Sequence, residues 1–189
     1  VDSSGVLRVA RAAQARFERQ RIRYFPLTLG STGRTCDERI GRFCSWHDEG
    51  DWYPRPEVAE IGELREELLA LLDSVQVVLP GDEWLLGQRV WYLSEDGRWE
   101  EALRAARSCG SAEPWWCAAL EGFSLHGLEK YVEADRSFSV ALELMDTERA
   151  RRWRVPHWIM DGDGQDVLEE AEDTSSDFLD NVLERLWLF

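Results

Sequence analysis

Two cysteines and a histidine lie close together in the first third of the chain. Cys36, Cys44 and His47 are spaced C-x7-C-x2-H, and Asp48 or Asp51 could add a fourth ligand. Thiolate and imidazole groups bind zinc and other transition metals, but this spacing is not that of a zinc finger or of covalent haem attachment. We favour a disulfide between Cys36 and Cys44. A metal site, a redox centre and a pair of free thiols are the alternatives.

A second cysteine pair has the same spacing as the first. Cys109 and Cys117 are separated by a segment that contains Gly110 and Pro114. A corner between two helices can bring such cysteines within the ~4.4–6.8 Å that a disulfide requires between Cα atoms. An even number of paired cysteines is typical of an oxidising compartment. We therefore predict a Cys109–Cys117 disulfide and a secreted or periplasmic protein; the alternative is two buried thiols that pack as small apolar groups.

An acidic stretch near the C-terminus resembles a calcium-binding loop in part. Asp161, Asp163 and Gln165 supply oxygen ligands at alternate positions, and Glu172 falls at the twelfth position. The sixth position holds Asp166 instead of the glycine that the sharp bend of such a loop needs. A solvated acidic turn is therefore the interpretation we favour.

The histidines offer no catalytic arrangement. His126 and His157 lack a matched nucleophile, and the sequence contains no G-x-S-x-G, P-loop or H-E-x-x-H motif. We expect a non-enzymatic protein that uses no cofactor.

Charge is distributed unevenly along the chain. The 189 residues carry a net charge of −15. Residues 1–42 hold nine Arg and four acidic residues, whereas residues 161–189 hold ten acidic residues and one Arg. This asymmetry indicates either two parts that attract each other, which we favour, or an acidic binding tail. Such an acidic chain is not expected to bind nucleic acid.

Neither a membrane span nor a complete gene product is indicated by the sequence. No stretch approaches the ~18 uncharged apolar residues of a transmembrane helix. The chain begins with Val1 and ends with Trp187-Leu188-Phe189. We therefore keep open that it is a processed form or a fragment of a larger protein.

The periodicity of apolar residues predicts one helical domain over residues 1–189. Its parts are described by ranges: an N-terminal helix within 1–25, a long loop rich in cysteine and aromatic residues over 26–56, a capping helix over 57–79, two helical hairpins over 83–146, and an acidic C-terminal segment with a terminal helix over 147–189. Asp82 is expected to cap the first helix of the first hairpin.

The two predicted hairpins repeat each other at an offset of 32 residues. Leu93, Trp99 and Ala102 correspond to residues of the same kind in the second hairpin: Leu125, Tyr131 and Ala134. A period near 34 residues with large and small residues alternating is typical of stacked helix-turn-helix repeats. Such repeats present binding surfaces to partners.

This pattern resembles the tetratricopeptide repeat (TPR) over residues 83–146. The matching residues of the first repeat are Gly97, Trp99, Ala102, Ala106, Cys109 and Pro114, and those of the second are Gly122, Leu125, Tyr131, Ala134, Phe138 and Ala141. The resemblance implies an all-α fold, in which an antiparallel stack of helix hairpins is flanked by capping helices and by the disulfide-stapled loop. It also implies binding of a protein or peptide without a cofactor.

The first helices of the two repeats would line the binding groove. The expected lining residues are Gln88, Trp91 and Tyr92 in the first repeat, and Trp116, Ala119 and Phe123 in the second. We accordingly expect a protein–protein interaction module or a structural subunit of an assembly. The alternatives are a redox or metal-binding protein centred on Cys36, Cys44 and His47, or a truncated piece of a larger protein.

Overall fold

The computed structural model describes residues 3–21, 38–40, 43–45, 58–154, 166–168 and 170. Up to residue 154 the described residues form seven helices and one short β-hairpin, in the order α1 (Ser3–Arg21), β1 (Glu38–Ile40), β2 (Phe43–Ser45), α2 (Ala59–Val78), α3 (Glu83–Glu95), α4 (Trp99–Arg107), α5 (Pro114–Gly127), α6 (Tyr131–Leu144) and α7 (Thr147–Arg154). Residues 166–168 and 170 are also helical. The predicted all-α fold with packed helices is confirmed. The chain divides into two compact units, Val1–Ala112 and Glu113–Phe189.

The β-hairpin lies in the segment for which we predicted only a loop. Its strands are antiparallel, with Glu38 opposite Ser45 and Ile40 opposite Phe43. Cys44 belongs to β2, but Cys36, His47, Asp48 and Asp51 lie outside the described residues. The predicted Cys36–Cys44 disulfide and its metal and redox alternatives therefore remain predictions. The same holds for the calcium-like residues Asp161, Asp163 and Gln165.

Helix α1 runs alongside α3 in the same direction. Near the middle of α1 and the start of α3, the guanidinium carbon of Arg11 lies 5.1 Å from the ring centroid of Trp84. At their ends, Arg21 Nη1 donates to Glu95 at 2.9 Å. On the inner side of α1, Phe17 is buried against Tyr92, with ring centroids 5.3 Å apart in an edge-to-face arrangement.

Helix α2 packs antiparallel to α3 and also contacts α1. Near the start of α2, Arg65 is buried and pairs with Asp96 at 3.1 Å, beyond the end of α3. Closer to its end, Asp73 pairs with Arg89 of α3 at 2.5 Å. The helices α1 and α2 thus form an antiparallel pair that packs against the first hairpin, although residues 22–58 separate them in sequence. The shared core of the four helices includes Ala10, Phe17, Ile61, Leu68, Leu72, Leu85, Leu86, Val90, Leu93, Ala102 and Ala106.

The turns that close the two hairpins have the same backbone hydrogen bonds. After α3, the N–H of Arg98 donates to the carbonyl of Leu93 at 2.9 Å, and the left-handed residue is Gly97 with φ +73°. After α5, the N–H of Lys130 donates to the carbonyl of Leu125 at 3.0 Å, and the left-handed residue is Glu129 with φ 59°. Both turns are Schellman motifs. Gly127, the glycine nearest to the second turn, is the last residue of α5.

A glycine and an aromatic ring interlock α5 with α6. A Cβ atom on Gly122 would lie 2.8 Å from ring atoms of Phe138, so only glycine permits this approach without displacement of the ring. The corresponding positions of the first hairpin, 32 residues earlier, are Val90 and Ala106, and both are fully buried. The two hairpins thus exchange the large and the small member of the pair.

Aspartates begin α3 and α7 in the same way. Asp82 Oδ1 accepts from the N–H of Leu85 at 3.0 Å, which confirms the predicted cap of α3. Asp146 Oδ1 accepts from the N–H of Arg149 at 2.9 Å at the start of α7. The two aspartates are 64 residues apart, which is twice the 32-residue offset. Helix α7 therefore begins where the first helix of a third repeat would begin.

Candidate partner-binding surfaces

In the first unit, the exposed aromatic side chain of α3 is Trp91. It is 48% exposed, whereas most neighbouring apolar residues of α3 are buried. Gln88, one turn earlier, is partly buried. These two residues occupy a surface of α3 that a partner can reach, and Trp is a common anchor residue in protein interfaces.

Tyr92 lies in the core, unlike its neighbour Trp91. It is 1% exposed because α1 covers it. Its hydroxyl donates to Glu18 Oε1 at 2.6 Å and accepts from Gln14 Nε2 at 3.1 Å. Burial and the hydrogen bond to Glu18 raise the pKa of Tyr92 well above its usual value. Tyr92 therefore links α3 to α1. It is not available to a partner, contrary to our prediction.

In the second unit, the predicted residues of α5 differ in accessibility. Trp116 and Phe123 are partly buried, whereas Ala119 is 4% exposed and belongs to a core cluster with Ala141 and Met145. Trp116 contacts the adjacent Trp115 edge to face, with ring centroids 5.5 Å apart. Ala119 therefore supports the helix from within, and the accessible aromatic surface lies at the N-terminal end of α5.

A cleft of about 340 Å³ opens between the N-terminal end of α5 and helix α7. Its described lining residues are Trp115, Asp146, Glu148, Arg149, Arg152 and Trp153. The rings of Trp115 and Trp153 meet edge to face at 5.6 Å, and the guanidinium carbon of Arg149 lies 4.8 Å from the centroid of the Trp115 ring. Trp153 is 46% exposed. The cleft thus combines aromatic faces with cationic groups.

The carboxylates of the cleft interact with arginines of α7 itself. The backbone N–H of Arg149 donates to Asp146 and, together with the nearby Arg149 charge, keeps the pKa of that carboxyl below its usual value. Glu148 forms an ion pair with Arg152 one turn later on the same helix. Because each carboxylate already has an arginine neighbour, the described lining is close to neutral overall.

The indole N–H of Trp115 is buried and has no hydrogen-bond acceptor among the described residues. A buried donor without an acceptor costs about 1–3 kcal/mol, and a ligand that brings an acceptor removes that cost. A backbone carbonyl or a carboxylate of a bound peptide is such an acceptor. The cleft thus places the exposed indole of Trp153 next to Trp115, whose N–H has no acceptor among the described residues.

The predicted Cys109–Cys117 disulfide is confirmed. Cys109 follows α4 and Cys117 lies in the first turn of α5. Among the described residues, no group of three or more His, Cys, Asp or Glu side chains is placed to hold a metal ion. No helix within the described ranges is long and apolar enough to cross a membrane.

Sequence reasoning found the aromatic residues of α5 but missed the cleft, which depends on Arg149 and Trp153 of α7. The available signal was Asp146, which occupies the capping position two periods after Asp82. Extending the repeat by one period would have placed Trp153 on a helix next to α5. Protein-family models, curated proteins and solved structures were compared with the chain, and none of them matches it.

Proposed function

We propose that this protein is a non-enzymatic, TPR-like helical-repeat module that binds another protein or a peptide outside the cytoplasm. The single observation that carries the proposal is the cleft of Trp115, Arg149 and Trp153, where an exposed indole lies beside a buried indole N–H that has no acceptor in the described part of the chain. Aromatic and arginine side chains dominate the binding energy of most protein interfaces.

The TPR-like architecture is supported by two features that the hairpins share. They have the same Schellman turn, and the positions of the Gly122–Phe138 contact are occupied in the first hairpin by the buried Val90 and Ala106. Helical hairpins of this kind bury one face against their neighbours and leave another for partners. Trp91 of α3 supplies a second exposed anchor on the first unit.

The extracellular location is supported by the Cys109–Cys117 disulfide, because such bonds persist in oxidising compartments. Protein purified from its natural source without reductant should be lighter than the reduced protein by the hydrogens lost in disulfide formation. A native mass equal to that of the fully reduced chain would contradict the proposed location.

Selection from a displayed peptide library against the full chain tests the binding function. We expect enriched peptides that bind wild type, and we expect Trp153→Ala to weaken that binding by about 10- to 100-fold through loss of an aromatic anchor. Tyr131→Ala is the matched control, because Tyr131 is an aromatic residue of the same unit, 58% exposed on α6 and absent from the lining of the cleft.

Three outcomes would contradict the proposal. The library yields no peptide that binds, or the selected peptides bind the Trp153→Ala and Trp91→Ala variants as tightly as wild type, or Tyr131→Ala weakens binding as much as Trp153→Ala. Circular dichroism of each variant confirms that its helices are retained.

A further inference from the structure

The outer surface of the α1–α2 pair carries two sets of like charges, which we call the charged face. Its members are three exposed arginines of α1, Arg8, Arg16 and Arg19, and three exposed glutamates of α2, Glu60, Glu63 and Glu67. In the part of the chain that the structure describes, none of these six side chains makes an ion pair or a side-chain hydrogen bond. The two helices nevertheless pack directly against each other.

Helical spacing confines each set to one strip of surface. At 100° per residue, the three arginines span an arc of about 80° on the side of α1 opposite its buried Ala10 and Phe17. The three glutamates span about 60° on α2, away from its buried Leu68 and Leu72. The charged face is thus one strip of positive charge beside one strip of negative charge.

A shallow groove separates the two strips. It has a volume of about 140 Å³ and is lined by Ala13, Arg16, Phe17, Gln20, Leu64, Glu67, Leu68 and Leu71. Arg16 and Glu67 line the same groove from opposite helices, and they therefore lie at the same level along it. Leu64 and Leu71 are only partly buried and leave some apolar area in the groove.

We infer that the charged face binds a second copy of this chain in a two-fold symmetric dimer. A two-fold axis along the groove, parallel to the helices, places α1 of each copy over α2 of the other. Rotation about this axis does not shift a residue along the groove. Arg16 of one copy therefore lies opposite Glu67 of the other, and Arg19 lies opposite Glu63. Each copy then supplies both halves of the interaction, as a two-fold interface requires.

The balance of charge favours a second copy over an anionic polymer or a membrane surface. The charged face holds as many glutamates as arginines, so a nucleic acid or an anionic headgroup layer would meet repulsion over half of it. A surface of the same chain matches both strips at once. This surface is distinct from the cleft proposed for peptide binding.

Sedimentation velocity of the full chain tests the inference. We expect a monomer–dimer equilibrium at low ionic strength that shifts toward monomer at about 0.5 M salt, because ions screen exposed charge pairs. Wild-type protein that sediments as a monomer at every concentration and salt condition would overturn the inference.

Charge reversal identifies the surface involved. Arg16→Glu with Arg19→Glu leaves Arg8 as the one arginine of the charged face, and Glu63→Arg with Glu67→Arg leaves Glu60 as its one glutamate. We expect each double variant alone to dimerise at least about 100-fold more weakly than wild type, because like charges then face each other. An equimolar mixture of the two should form a heterodimer, since their faces are complementary.

A matched control separates this effect from a general change in net charge. Arg104→Glu with Arg136→Glu changes the net charge by the same amount at exposed positions of α4 and α6, and its dimerisation should equal that of wild type. If the mixture of reversed variants stays monomeric, or if the control variant also loses dimerisation, the inference fails. Peptide binding measured on the same variants would be unchanged, so this result is separable from the test of the proposed function.

Discussion

The two helical hairpins, α3–α4 and α5–α6, place side chains of opposite size at the same two positions. In the first hairpin the large residue is Val90 on the first helix and the small one is Ala106 on the second. In the second hairpin the order is reversed, with Gly122 and Phe138 in contact. The two hairpins thus share one large and one small residue at these positions, but on opposite helices. Packing in a protein interior depends on the total volume and shape of the side chains, so either order can fill the space between two helices.

The hairpins also differ in how much of their second helix they bury. Helix α4 buries Ala102, Leu103, Ala105 and Ala106, whereas α6 buries only Ala134 and Ala141. Exposed apolar side chains of α6 include Val132, Val140 and Leu144. The side of the second helix that packs on the first helix is therefore similar in the two hairpins. The opposite side differs, because it is buried in α4 and largely exposed in α6.

The largest expected effect comes from the disulfide, since Cys109 of the first hairpin occupies the position of Ala141 in the second. The variant Cys109→Ala, Cys117→Ala makes the hairpins alike at this position and opens the covalent loop. We expect the free energy of unfolding to fall by about 2–3 kcal/mol, mainly because the unfolded chain gains entropy. Urea unfolding measures it; an unchanged midpoint would show that the bond does not stabilise the fold.

A smaller loss of stability is expected when Gly122 of the second hairpin is replaced by valine, the residue at the equivalent position of the first. Gly122→Val places methyl groups inside the Phe138 ring position and should lower the free energy of unfolding by about 2 kcal/mol. Adding Phe138→Ala recreates the arrangement of Val90 and Ala106. A double-mutant cycle in urea should then show a favourable coupling of about 1 kcal/mol or more. Strict additivity of the two losses would contradict the proposed exchange.

The turns offer a comparison at one residue. Glu129 adopts the left-handed conformation that Gly97 adopts in the first hairpin, at a steric cost that glycine avoids. Glu129→Gly should therefore raise the free energy of unfolding by about 1 kcal/mol, and Gly97→Ala should lower it by about 1 kcal/mol. Thermal and urea unfolding of both variants measure these changes. Shifts of the same sign in the two variants would refute the equivalence of the turns.

The smallest expected effect concerns the cap that begins α7. The backbone N–H of Arg149 lowers the pKa of Asp146, so the folded state favours the ionised carboxylate. The ionised Asp146 carboxylate therefore stabilises the folded state at pH values above the ordinary carboxyl pKa. This stabilisation is lost as the pH falls through the lowered pKa. Carboxyl NMR titration should give a midpoint below 3.8 for Asp146. A midpoint at or above that value would mean that the carboxylate does not cap the helix.

Local features of the fold could be predicted from the sequence because they depend on neighbouring residues. The two hairpins within residues 83–146, the cap at Asp82 and the Cys109–Cys117 disulfide follow from spacing within short stretches of chain. The left-handed conformation of Glu129 could not be predicted, because a glutamate gives no local signal for it.

Long-range placement could not be predicted, because an apolar stripe indicates that a helix is covered but not by what. The pairing of α1 with α2 across residues 22–58 was missed for this reason. Tyr92 was expected on a binding surface since hairpin geometry alone leaves α3 open, whereas α1 covers it. Trp153 was missed because α7 had not been recognised as continuing the repeat.

The hydrogen bonds of Tyr92 with Gln14 and Glu18 have a consequence for the order of events during synthesis. Gln14 is synthesised before Tyr92, its hydrogen-bond partner, and 78 residues of chain separate the two. At ribosomal rates of about 5–20 residues per second, α1 waits roughly 4–16 s before its docking site exists. Throughout that interval Phe17 has no Tyr92 to pack against, so its ring is buried only after α3 has been synthesised.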